Sequence, residues 1–143
     1  MKKYSLLLII FALAKISLAQ QLTGQVFLQQ TILGKQNGYG VRYQNEKGLG
    51  VGIVYQSNLN ASREFVQGNY PFYGIETVIP ITKCNNMRLF LTPKVGFVNH
   101  LFFVVIPEVE TNIKISDRFS SGITAGLRAR QSAIGIKIIM KIN

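Results

Sequence analysis

Between residues 109 and 140 the chain alternates apolar and polar positions almost without a break. Val109, Thr111, Ile113 and Ile115 share one parity, and Glu110, Asn112, Lys114 and Ser116 the other. After Asp117-Arg118 the alternation resumes. Phe119, Ser121, Ile123, Ala125, Leu127 and Ala129 stand against Ser120, Gly122, Thr124, Gly126, Arg128 and Arg130. Ile134, Ile136, Ile138 and Met140 then oppose Gly135 and Lys137. A strict period of two predicts half-buried strands. The polar parity is unusual in mixing glycines with full charges.

The same period runs through the earlier chain. Residues 24–33 predict a first strand, of ambiguous phase because Val26-Phe27-Leu28 is continuous. Residues 34–38, ending in Asn37-Gly38, predict a turn. Strands follow at 39–45, 49–58, 72–82, 87–98 and 101–116, separated by turns at 46–48, 83–86 and 99–100. Residues 59–71 form the longest irregular piece. With the two strands after Arg118 the count is eight, each joined to the next as a hairpin. Strands of about 10 residues suit a tilted membrane crossing. Pro80, Pro93 and Pro107 fall inside strands and lack an N–H, so each predicts a bulge or an early strand end.

Loop lengths sort by side. Placing both ends of the chain in the periplasm puts the turns at 46–48, 83–86 and 117–118 there and the 59–71 loop outside. Tyr39, Tyr55, Tyr70, Phe72, Tyr73, Phe97, Phe102 and Phe103 then map near the outer ends, like an interfacial girdle.

The N-terminus reads differently. Lys2 and Lys3 precede an apolar run over residues 6–14, and Ser17-Leu18-Ala19 offers small residues at a cleavage site. This predicts a secretory signal peptide over 1–19 and one domain over 20–143. The run falls short of the roughly 20 residues a spanning helix needs, and Lys15 interrupts it. Without Lys2, Lys3 and Lys15, the 16 basic residues fall to 13 against 6 acidic ones. A basic exported protein can meet outer-membrane lipid or lipopolysaccharide; export gives it no nucleic acid. A single cysteine, Cys84, makes no intramolecular disulfide.

The inward parity collects Arg42, Glu76, Arg88, Lys94, Glu108, Glu110, Lys114, Arg128, Arg130 and Lys137. Facing lipid, an Arg or Lys at the midplane would cost roughly 2–4 kcal/mol. Inside, these charges can pair, so the set predicts a lumen charge network; an anion-selective passage is the other reading. The balance of seven basic to three acidic residues hints at an anionic occupant. Glycines on the same parity leave room in a narrow lumen. Gly48-Leu49-Gly50-Val51-Gly52 lacks the helix and basic anchor of a phosphate loop. His100, the single histidine, sits in an outer connection away from Ser120, Ser121 and Ser132, so no catalytic pair is indicated. No cofactor or metal pattern is present.

Taken over residues 39–44, 49–56, 109–114 and 119–140, the chain resembles the small eight-stranded outer-membrane β-barrel proteins of double-membraned bacteria. The resemblance implies an all-β fold, an eight-stranded antiparallel up-and-down transmembrane β-barrel after a cleaved signal peptide. It also implies a structural, adhesion or surface-interaction role without catalysis, with the 59–71 loop as the contact surface for a partner. Such barrels usually end in an aromatic residue, whereas this chain ends Met140-Lys141-Ile142-Asn143. Two alternatives remain at this point. One is a soluble exported barrel with its faces inverted around an apolar ligand; the other is a lipid-modifying enzyme using His100. A charged fraction of 15% and a positive mean hydropathy favour the membrane barrel over the soluble one.

Overall fold

The computed structural model describes residues 21–31, 34–58, 70–99, 102–128 and 131–142. Residues 1–19, where the sequence predicts a signal peptide, and nearly all of the 59–71 loop lie outside them. Every element among the described residues is a strand: β1 (Gln21–Thr31), β2 (Gly34–Gln44), β3 (Gly50–Gln56), β4 (Phe72–Cys84), β5 (Met87–Leu91), β6 (Lys94–Val98), β7 (Phe102–Ile106), β8 (Glu108–Lys114), β9 (Phe119–Arg128) and β10 (Gln131–Lys141). All pairings are antiparallel. β1 pairs with β2 on one side and with β10 on the other, which closes the sheet into a barrel.

The ten segments make eight barrel strands, because two strands are each broken once at a proline. β5 and β6 both pair with β4 and are parted by Thr92-Pro93. β7 and β8 are parted by Pro107. Where β4 pairs with β5, the register slips between Pro80 and Thr82. Each predicted irregularity is therefore present. The missing N–H ends the ladder locally, but the carbonyls stay in use: Pro93 O accepts from Thr77 N at 3.0 Å and Pro107 O from Leu127 N at 3.1 Å.

One turn is misplaced in the sequence reading. Asn37 and Gly38 lie within β2, opposite Leu28 and Phe27, and the β1–β2 hairpin closes from Thr31 to Gly34. The glycine is needed for packing instead. A Cβ on residue 38 would overlap the Phe27 ring, so the ring lies over the bare backbone of the neighbouring strand. A smaller difference is at Lys83 and Cys84, which extend β4 and leave Asn85-Asn86 as the turn. Asn85 takes the left-handed conformation, with φ 47°.

The outer surface is apolar around the barrel. Val26, Ile53, Ile75, Val105, Ile123 and Ile136 are among its exposed side chains, and Ile113, Leu127 and Ile138 join them. The inverted, soluble arrangement is thus not the one adopted. Near one end, Tyr39, Tyr55, Tyr73, Phe97 and Phe103 face each other strand to strand across β2, β3, β4, β6 and β7. Ring centroids along Tyr39–Tyr55–Tyr73 are 4.9 Å apart, and Phe97–Phe103 are 5.8 Å apart. That is an aromatic band at the level where amphipathic rings favour a membrane interface. Phe72 is not part of it. Its parity turns it inward, where it is fully buried beside Phe27, Val54, Val98 and Ile106.

Candidate functional site

The lumen holds a connected set of polar side chains to which every one of the eight barrel strands contributes. Arg42 on β2 lies at its centre. Its Nε donates to Glu76 Oε1 on β4 at 2.9 Å, and its two terminal nitrogens donate to both oxygens of Glu110 on β8, each at 2.8 Å. This fork-to-fork pairing is the geometry in which a guanidinium binds a carboxylate most strongly. Lys137 on β10 also donates to Glu110. Its ammonium faces Glu108 Oε1 at 3.7 Å and Glu76 Oε2 at 4.0 Å. Lys94 on β6 pairs with Glu108 Oε2 at 2.8 Å.

Amides extend the set. Gln25 on β1 donates to Glu76, and Asn112 donates to Glu110 at 2.6 Å. Gln29 donates to Glu108 at 3.1 Å and accepts from Gln56 of β3 at 3.0 Å. Gln56 in turn accepts from Arg128 of β9. Aromatic faces support the cations: Lys94 and Lys137 stand 4.7 and 5.5 Å from the Phe27 centroid, and Arg128 stands 5.9 Å from that of Phe72.

The ten charged residues singled out from the sequence fall into separate groups. Arg42, Glu76, Lys94, Glu108, Glu110, Arg128 and Lys137 are all buried to 3% exposure or less. Arg128 stands apart from the ion pairs, held by Gln56 and by the carbonyl of Tyr70 at 3.3 Å. Arg88 and Lys114 are exposed, because β5 and β8 carry them beyond the packed lumen to its open mouth. Lys114 there pairs with Asp117 at 2.6 Å, and the ammonium holds that carboxyl below the usual carboxylate range. Arg130 lies outside the described residues, as does His100.

The charge balance corrects the sequence reading. The mutually paired buried set is Arg42, Lys94 and Lys137 against Glu76, Glu108 and Glu110, three against three. Among the described residues the basic excess belongs to Arg128 and to the mouth, so the network itself asks for no anion. Each carboxylate already has cationic partners. Among the described residues no group of three or more His, Cys, Asp or Glu could hold a metal.

The glutamines were the part sequence reading missed. Gln25 and Gln29 share a parity with Thr23, Phe27 and Thr31, all buried. The continuous Val26-Phe27-Leu28 concealed that phase.

No protein-family model matches the chain, and no curated protein matches it. Solved structures do. A de novo designed transmembrane β-barrel superposes with a TM-score of 0.71 at 10% identity, covering 85% of this chain and 95% of the design. The solution structure of a second designed barrel gives 0.65 at 11% identity, covering 89% and 98%. Neisserial surface protein A gives 0.49 at 8% identity, covering 86% and 96%. The two designed barrels share the backbone architecture with this chain: its fold is that of an eight-stranded transmembrane β-barrel.

Proposed function

We propose that the chain is exported by the signal peptide at residues 1–19 and serves in the bacterial outer membrane as a non-catalytic, non-conducting barrel. Its role is structural or adhesive. The observation that carries this reading is the neutral six-charge network with contributions from all around the barrel. It occupies the lumen where a channel would hold water.

The contact surface is the 59–71 loop; Gln56 and Phe72, which pair at its base, lie beside the aromatic band, at the end of the barrel opposite the short 45–49, 85–86 and 115–118 turns. Outer-membrane lipid or lipopolysaccharide surrounds the wall, and a surface partner meets the loop.

Cell fractionation with an epitope inserted in the loop tests this. The expected result is recovery in the outer-membrane fraction, faster electrophoretic migration before boiling than after, and epitope accessibility on intact cells. Recovery in the soluble periplasm would overturn the reading.

A further inference from the structure

At the end of the barrel that bears Gln21 and Lys141, the lumen opens into a vestibule of about 580 Å³. Its inner wall includes Phe90 and Ile139, buried to 3% and 7% exposure. Beyond them Asn112 links the vestibule to the ion-pair network through Glu110. The vestibule is a separate compartment from that network, and its charge is different.

Lys83, Arg88, Lys114 and Lys141 all line it, against one acidic residue, Asp117. That carboxylate is taken by Lys114 at 2.6 Å. No carboxylate among the described residues forms an ion pair with Lys83, Arg88 or Lys141. Three cations therefore converge on one concavity with an apolar back wall, a geometry that focuses a positive field. Asp117 lies close enough to feel Lys141 as well as Lys114, so one carboxylate offsets this field only in part, and a bound anion would offset more of it. Side-chain amides of Gln44, Asn85 and Asn86 on the same wall add hydrogen-bond donors.

We propose that this vestibule binds a small polyanion of the phosphate class, supplied either free or as the headgroup of an anionic lipid. A guanidinium with two ammonium groups matches the charge and the several acceptor oxygens of a phosphate better than it matches a single carboxylate. The volume lies within the range of roughly 300–1,000 Å³ common for small-molecule sites. The site owes nothing to the outer loop, so it stands or falls separately from the surface role.

The test is calorimetric titration of inorganic pyrophosphate into the folded barrel in phosphatidylcholine nanodiscs, repeated with phosphatidylglycerol present. The expected result is saturable binding with a Kd of about 1 mM or tighter. It should weaken about tenfold or more in the Lys83→Gln/Arg88→Gln double variant, because two of the three unpaired charges are gone. Both positions are exposed, and migration before boiling verifies that the variant folds. Lys35→Gln, at the opposite end, should bind as the wild type does. Affinity unchanged by phosphatidylglycerol identifies a free phosphate ligand; affinity lowered by it identifies the lipid headgroup as the occupant. Absence of saturable binding in phosphatidylcholine, or binding unaltered by the double substitution, would overturn the proposal.

Discussion

Arg42 on β2 meets Glu76 on β4 at 2.9 Å although a whole strand, β3, lies between them. The register explains how. Arg42 sits opposite Gly52, and Gly52 opposite Glu76. A Cβ at residue 52 would stand 2.7 Å from the Val41 carbonyl oxygen and 3.2 Å from Glu76 Oε1. The glycine is the gap through which two charges, two strands apart, reach each other.

Gly52→Ala should therefore destabilise the barrel by about 1–3 kcal/mol, the ordinary cost of overpacking. The methyl meets backbone, which cannot swing aside. Urea unfolding in lipid vesicles measures it, and a midpoint equal to that of the wild type would show that the gap has no role.

Lys94 and Glu108 should behave as a coupled pair. Lys94→Met leaves a buried carboxylate short of its nearest cation, and Glu108→Gln leaves the ammonium short of its carboxylate. Each should cost about 3–5 kcal/mol. The double variant should cost less than the sum, with a coupling of about 0.5–3 kcal/mol. Strict additivity in the same unfolding assay would mean that the 2.8 Å contact does not link them energetically.

Ile123 lies midway along β9, is 59% exposed on the outer wall and pairs with Ile136 and Thr111. Ile123→Arg should cost roughly 2–4 kcal/mol in a bilayer, the penalty for a cation at lipid midplane depth. Ile123→Leu should stay within about 0.5 kcal/mol. A fully tolerated arginine would place water, not lipid, against this face.

The alternation made most of this fold legible. From Phe119 to Leu127, Ser121 apart, and again from Ile134 to Met140, every second residue is apolar, and the outer wall follows directly. The glycines and charges opposite could only be inward. The prolines marked the breaks correctly, because a missing N–H has the same consequence in any sheet. Asn37-Gly38 misled because the pair is a strong local turn signal. What decided the outcome was a tertiary fact, the Phe27 ring lying over Gly38. Arg88 and Lys114 carry the right parity but stand too near the strand ends to be buried, and parity carries no information about depth. The three-to-three balance was hidden for that reason.

Asp117 should titrate below the usual aspartate range, since Lys114 hydrogen-bonds its ionised form. A depressed folded-state pKa contributes stability above the unfolded value of about 3.9, and that contribution is lost as the pH falls through the folded value. Acidification below about pH 4 should thus loosen the 115–118 turn first, read as faster exchange of the Phe119 amide, which donates to Ser116 Oγ at 3.1 Å. Asp117→Asn should remove this pH dependence; an unchanged profile would remove the pair from the account.

The most direct test of the central claim is ion conductance of the folded protein in a planar lipid bilayer at neutral pH. A lumen filled by Arg42, Lys94 and Lys137 against Glu76, Glu108 and Glu110 predicts insertion without conductance steps above the bare-membrane baseline. Stable, long-lived conducting steps from the wild-type barrel would contradict it.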